Sequence, residues 1–246
     1  MLLKNIFLLL ALSVSFAATA ATAATAATAA TDLSKYFNLD LLGSNLKYVE
    51  SRLGTAMYSR DITENLVENT YPIDGCKILV GFEEDKVQYL GTNTISKKCS
   101  IRINEIINNG YDTNFQNKEN QNIKFGDIYS SLGANYYIDC FSCGAYKADP
   151  TLIAHYEGGR AHRNHLEITV SASTNTNNNY DRFFEIEDFF KKKYTESWLY
   201  DSFNCPINNE VKSIELTHKY LKDVEVESFF IGYKTLERYE IDQNCI

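Results

Sequence analysis

Six cysteines and four histidines are the groups in this chain best suited to nucleophilic, redox or metal chemistry: Cys76, Cys99, Cys140, Cys143, Cys205, Cys245, His155, His162, His165 and His218. Cys140-Phe141-Ser142-Cys143 has the CxxC spacing of thiol oxidoreductases. That chemistry needs the first thiolate at a helix N-terminus, where the dipole lowers its pKa. Here Gly144 follows at once and Asp149-Pro150 soon after, which is loop punctuation. The pair is therefore expected as a local structural disulfide, with thiol redox as the enzymatic alternative. No second CxxC exists to complete a zinc site. A hairpin pairing Ala154 with Leu166 would set His155 opposite His165 and Ile153 opposite Glu167, so that His155, His165 and Glu167 share a face. Such an N/N/O set has the donor types of a metal site, but a polar strand face carries the same residues for solvation alone. His162 and His165 are a poor chelating pair, because a spacing of three puts them on opposite faces of a strand. The sequence has no Gly-x-Ser-x-Gly elbow, phosphate-cradling Gly-rich loop or His-Glu-x-x-His helix. No enzyme, cofactor or metal site is expected.

A different kind of site is written in Glu83-Glu84-Asp85, three consecutive carboxylates between two apolar alternating runs. Neighbouring anions repel one another unless water, salt or a cationic partner relieves them. As a hairpin tip this segment suits the basic cleft of a protein partner. Tyr89 and a second tip from Tyr156 to Arg160 are expected to flank it. Seventeen tyrosines and fourteen phenylalanines stand against one tryptophan, Trp198. Tyrosine combines contact area with a polar end, although most of these tyrosines are expected in half-buried sheet positions.

The elements that position these groups begin after a leader. Met1 to Lys4 gives a basic start, Ile6 to Phe16 is almost wholly apolar, and small residues follow. The apolar run is too short for a membrane-spanning helix, which takes about 20 residues. Its order is that of a secretory signal peptide over 1–20. Ala-Ala-Thr triplets continue to Thr31 and predict a flexible tether over 21–35. With no cysteine after the apolar run, no lipid anchor is expected. Export into an oxidising space, the periplasm or the exterior, makes the cysteines pair. Proximity favours Cys76–Cys99, Cys140–Cys143 and Cys205–Cys245. The chain of 246 residues carries a net charge of −8, with 44% hydrophobic and 23% charged residues, a globular balance. The negative charge argues against nucleic acid and anionic membrane surfaces as partners.

Two segments of the remaining chain resemble each other and predict units over 36–120 and 121–246. Leu46, Val49 and Leu53 lie at helical spacing and end in Gly54; Phe125, Ile128 and Leu132 do the same before Gly133. Glycine at such an end suits a left-handed C-cap, and Ser44-Asn45 an N-cap. A hairpin follows each. In the first, Phe82 opposite Val87 would set Val80 against Tyr89, all facing the side of Ile78. In the second, Leu152, Ala154 and Tyr156 share a side with Leu166, Ile168 and Val170. Ser100–Asn108 fits a strand or a helix. Phe183–Tyr194 reads as a helix, and Val211–Leu216 and Val224–Tyr233 as strands. The fold class predicted is α+β: two tandem helix-plus-antiparallel-hairpin units with a C-terminal helix and strand extension.

A helix ending in Leu-Gly, a loop and a short hairpin resembles the SmpA/OmlA family, which includes the small lipoprotein of the outer-membrane barrel-assembly machinery. Two such units in tandem in an exported, disulfide-bearing chain resemble the β-lactamase-inhibitory-protein fold. The residues concerned, Leu46–Gly54 with Ile78–Tyr89 and Phe125–Gly133 with Leu152–Val170, cover about half the mature chain. The resemblance implies a non-enzymatic module that presents a sheet and hairpin tips to another protein, with Asp85 nearest to the acidic turn that enters an enzyme's active site. This chain departs from the pattern in its greater length, its missing lipid cysteine and its C-terminal extension. An exported inhibitor or immunity-type protein is therefore expected, with an envelope assembly or structural factor as the alternative.

Overall fold

The alternating runs assemble one antiparallel sheet. The structure is a computed structural model, and it describes residues 30–110, 123–132, 134–139, 151–158, 166–174, 179–193 and 218–239. In chain order the elements are β1 (Thr31–Asp32), α1 (Leu46–Leu53), β2 (Tyr58–Asp61), β3 (Leu66–Ile73), β4 (Cys76–Glu83), β5 (Lys86–Thr92), β6 (Cys99–Ser100), α2 (Ile103–Gly110), α3 (Phe125–Leu132), β7 (Asn135–Asp139), β8 (Thr151–Glu157), β9 (Glu167–Ser173), α4 (Asn179–Lys193) and β10 (Ser228–Gly232). Eight strands form one sheet in the order β2-β3-β4-β5-β10-β9-β8-β7. β10, from near the end of the chain, lies between the two hairpin sets and pairs antiparallel with β5 and β9. The architecture is α+β, as the sequence predicts. Cys76 and Cys99 form a disulfide. Cys140, Cys143, Cys205, Cys245, Arg160, His162 and His165 lie outside the described residues.

Helices α1 to α4 pack on one face. Val49 and Leu53 of α1, Ile103, Ile106 and Ile107 of α2, Phe125 and Ile128 of α3, and Phe183 and Ile186 of α4 join one core with Ile78, Val80, Phe82, Val87, Leu90, Leu152, Ala154, Ile168, Val170, Phe229 and Ile231 of the strands. Each buried Leu, Ile or Phe contributes on the order of 1.5–3 kcal/mol. Asn45 caps α1 by accepting from the backbone N–H of Tyr48. Gly54 follows the helix at φ 84° but ψ −169°, so it ends α1 in a glycine conformation other than the left-handed cap expected. The segment 100–108 resolves as a short strand end and then helix α2. The C-terminal strand is shorter than the predicted 224–233, because the Val224 carbonyl accepts from the Phe125 N–H and the Val226 N–H donates to the Ile123 carbonyl, so this segment pairs with 123–125 instead of the sheet. Order also starts before residue 36: Thr31 and Asp32 pair with Cys99 and Ser100, and Leu33 is fully buried. The expected tether therefore overlaps the fold at its last residues.

Both hairpin registers differ from expectation. Phe82 does pair with Val87, but the register shifts between Gly81 and Phe82, so Val80 faces Leu90 and Gly81 faces Tyr89. An extra residue in one strand turns the residues beyond it to the other side. Tyr89 consequently leaves the helix-bearing face and joins Leu66, Leu79 and Phe230 in a second buried cluster. In the second hairpin Ala154 pairs with Val170, and His155 with Thr169. The ladder runs on to Glu157 opposite Glu167, and the Gly158 N–H donates to the Leu166 carbonyl. The connection therefore spans 158–166 and is not a tight turn at 157–160. The slip is even-numbered, so the assignment of residues to faces survives.

Candidate functional site

The face opposite the helices carries the buried polar chemistry. Across the ladder, Arg60 pairs with Glu68, Glu68 with Gly81, and Gly81 with Tyr89; further along, Phe230 pairs with Thr169 and Thr169 with His155. Opposite residues of antiparallel strands share a face, so these groups line one surface. Two of its aromatic rings sit directly over glycines, edge-to-face with one another at 84°. A Cβ at Gly81 would sit 2.3 Å from the Tyr89 ring, and one at Gly91 would sit 1.9 Å from the Phe230 ring. Lying over Gly81 lets the Tyr89 hydroxyl cross β4 and donate to Glu68 Oε2 on β3 at 2.9 Å. Burial first, and the adjacent Glu68 charge second, push the Tyr89 phenol far above its ordinary pKa.

A seven-residue strap, 233–239, follows β10 and crosses this face. It turns back where Gly232 approaches β5: a Cβ there would meet the Gln88 carbonyl oxygen at 2.2 Å, and Tyr233 N–H donates to that oxygen. Carboxylates from three strands hold the strap. Lys234 Nζ contacts Glu83 Oε1 at 2.6 Å. Thr235 donates its N–H and its hydroxyl to Glu167 Oε2, at 2.9 and 3.0 Å. Arg238 donates through Nε to Glu68 Oε2 and through Nη2 to Glu68 Oε1, and its guanidinium lies 4.2 Å from the Phe230 ring centroid. Glu68 is 2% exposed and Arg238 10%. Arg60 Nη2 completes the cluster at 2.9 Å from Glu68 Oε1. Burial alone would lower the Arg238 pKa, but the hydrogen bonds and charge of Glu68 hold it above its ordinary value. Tyr239 closes the strap by donating its hydroxyl to Ser171 Oγ.

His155 and Glu167 belong to the same surface and are linked through it. His155 Nδ1 lies 2.8 Å from Thr169 Oγ1, which lies 2.7 Å from Thr235 Oγ1. Each hydroxyl has one proton to give. Thr235 spends its own on Glu167, so Thr169 donates to Thr235, and His155 donates from Nδ1. Burial lowers the His155 pKa to about 4, so the ring is neutral near pH 7. The 3.7 Å approach of Nε2 to the exposed Glu157 is then no ion pair at that pH. Burial raises the Glu167 pKa to about 7, against the hydrogen bonds from Thr235 and the Leu236 backbone, which lower it. The chain is spent on holding the strap, and no set of three described His, Cys, Asp or Glu side chains is arranged to hold a metal.

The residues expected at a binding tip separate. Glu83 is tied to Lys234, and Asp85 accepts from the Leu46 N–H at the start of α1. Glu84 is exposed, and it and Asp85 adopt φ 49° and 60°. Tyr89 is fully buried on the strap face and Tyr156 packs half-buried against the helix-bearing core, so the two do not flank the tip together. Sequence reasoning missed Glu68, Arg238, Thr169, Thr235 and Phe230. Gly81 and Gly91, inside otherwise apolar alternating runs, were the available signal that something lies close over those strands.

No protein-family model matches the chain, and no curated protein matches it. Among solved structures it is similar to a cysteine-rich secretory protein from Staphylococcus aureus, with 8% identity, a TM-score of 0.37, and coverage of 84% of this chain and 49% of that one. The chain thus spans about half the length of that protein. A Streptococcus mutans protein described as a candidate beta-lactamase inhibitor protein aligns at 12% identity and a TM-score of 0.22, over 56% of this chain and 82% of that one. Likeness at this level assigns no function.

Proposed function

We propose that this chain is an exported, non-catalytic protein-binding module of the inhibitor or immunity type, working in the periplasm or outside the cell on a basic partner. The observation that carries the reading is the turn at Glu84-Asp85. Two-residue hairpin turns with positive φ favour Asn-Gly or Asp-Gly, and the β3–β4 turn uses Asp74-Gly75. The β4–β5 turn instead holds Glu84 at φ 49°, a conformation disfavoured for a residue with a longer side chain. Its flanks hold it there: Asp85 is bound to α1, Glu83 to Lys234, and Val87 exchanges backbone hydrogen bonds with Gly43 and Ser44. The result is an exposed Glu84 carboxylate on a turn fixed from both sides, the kind of preorganised group that interfaces use. The Cys76–Cys99 disulfide and the net charge of −8 support the compartment and the partner's sign.

The test is capture of exported proteins from the producing cell on the immobilised full chain, followed by affinity measurement with the purified partner. Glu84→Ala should weaken binding at least tenfold and reduce its salt dependence. Insulin reduction by the chain, abolished in Cys140→Ser, would replace this reading with thiol oxidoreductase activity. An unchanged affinity for Glu84→Ala would remove the turn from the interface.

A further inference from the structure

The Glu68 cluster has the makeup of an arginine receptor. A buried carboxylate takes the guanidinium fork through both oxygens, and the Phe230 ring offers its π face 4.2 Å away. These are the two features that distinguish guanidinium recognition from recognition of a lysine ammonium. Two glycines make room for this site: Phe230 sits over Gly91 and Tyr89 over Gly81, where any side chain would displace the rings. Arg60 and Tyr89 hold the carboxylate from its other sides.

The group now in the receptor belongs to a segment held mostly by polar contacts, with Thr235 fully buried and the Tyr239 ring edge-on to Phe230. Its short helical turn, Leu236–Arg238, buries no residue. Lys234 and Glu83 are 30% and 27% exposed. Thr235 and Tyr239 are held by hydrogen bonds to Glu167, Thr169 and Ser171. The helices on the other face, by contrast, are buried through Leu, Ile, Val and Phe. The partly exposed Lys234–Glu83 pair exchanges with water at small net cost, and a partner guanidinium that makes the same fork to Glu68 replaces the buried pair like for like.

We propose that the Glu68–Phe230 slot receives an arginine side chain from the protein partner, and that Arg238 occupies it in the free chain as a displaceable stand-in. This rests on the protein-binding reading above and fits a basic partner for a chain of net charge −8. Displacement would lift the 233–239 strap and open the Tyr89–Phe230 surface.

The test uses the full chain and two blocked peptides, Gly-Arg-Gly-Arg-Gly and its lysine counterpart. Nitrogen-15 NMR follows the Arg238 Nε–H. The arginine peptide should bind, move the Arg238 signal to the position of a solvated arginine, and bind Arg238→Ala at least tenfold more tightly than the parent. The lysine peptide should show no such gain. An Arg238 signal that stays fixed in the parent at saturating peptide overturns the proposal, whether or not the variant binds, because the pair is then permanent. Equal affinity of parent and variant also overturns it. Should Arg238→Ala fail to fold, Arg238→Lys, which keeps the charge and loses the fork, takes its place with a threefold or larger gain expected. A missing partner in the capture experiment, with these peptides binding as described, would remove the protein-binding reading and leave the slot standing.

Discussion

Glu68 and Glu167 lie on one face of one sheet, on opposite sides of β10, and both hold the same strap. Glu68 meets two guanidinium groups and a phenol. Glu167 meets a hydroxyl and backbone N–H groups, and has Glu157 directly opposite it in the ladder. The first end is an ion pair with an aromatic floor; the second is a chain of neutral donors running back to His155. Burial makes a charge costly unless a counter-charge and hydrogen bonds replace the lost water. The Glu68 end supplies the counter-charge. The Glu167 end does not, and its carboxyl responds with a pKa raised to about 7.

The largest expected effect comes from breaking the ionic end. Glu68→Ala leaves Arg238 without its carboxylate, and removing one partner of a buried pair costs about 3–5 kcal/mol. Urea unfolding of parent and variant measures it. A loss below about 1 kcal/mol would mean that the two ends do not differ in kind. Reducing the Cys76–Cys99 disulfide, whose cysteines are 23 residues apart, should cost about 3 kcal/mol through the entropy of the unfolded chain. That loss should leave the relative contributions of the two strap ends unchanged.

Next come the glycines under the rings. Gly91→Ala would place a methyl group 1.9 Å from Phe230, and Gly81→Ala one 2.3 Å from Tyr89. Each should cost about 1–3 kcal/mol by overpacking. Both should also loosen Arg238, read as faster exchange of its Nε–H, while leaving Thr235 protected. Equal loosening of both strap ends would show that the strap docks as a single unit.

The part of this architecture legible in the sequence is the part fixed by local pattern. Leu46, Val49 and Leu53 announce α1 because a helix face repeats within a few residues. Ile78, Val80 and Phe82 announce β4 because apolar residues at every second position share one side of a strand. Tyr89 breaks the inference: a bulge changes the face of every residue beyond it, and no composition around Gln88 marks the extra residue. Glu157-Gly158-Gly159-Arg160 has turn chemistry, yet the pairing of Glu157 with Glu167 extends the ladder beyond where that turn would close it. Glu68 and Arg238 are 170 residues apart, and their contact depends on β10 entering between β5 and β9. Long-range insertion of that kind leaves no periodicity in either segment. The acidic tip was legible as a turn, but the ties from Asp85 to α1 and from Glu83 to Lys234 were not, since both partners are distant in sequence.

The smallest net slope in the parent sharpens the comparison most, because it hides two opposed contributions that cancel. Glu167 has its pKa raised from 4.5 to about 7. A carboxyl raised on folding contributes stability that is complete below the unfolded value and is lost as pH rises through the folded one. On its own, then, Glu167 makes the protein progressively less stable as pH rises from 4.5 to 7. His155 is shifted the other way, from 6.5 to about 4. Its contribution is present above 6.5 and lost as pH falls through 4, since the unfolded ring takes up a proton that the buried ring refuses. Over the shared interval the two terms oppose each other, and the parent shows little net slope from this pair. Glu167→Gln keeps acceptor and size but cannot ionise. Relative to the parent, its stability should fall as pH drops from 7 to 4.5. His155→Gln should show the reverse, gaining relative to the parent as pH drops from 6.5 to 4. Taking each variant as a difference from the parent removes the other titrating groups, among them Glu227 and His218. Urea midpoints at half-unit steps of pH measure both. If the two difference curves run parallel instead of opposite, one of the two groups is shifted the other way, and the burial that this sheet face imposes on His155 and Glu167 does not set their protonation.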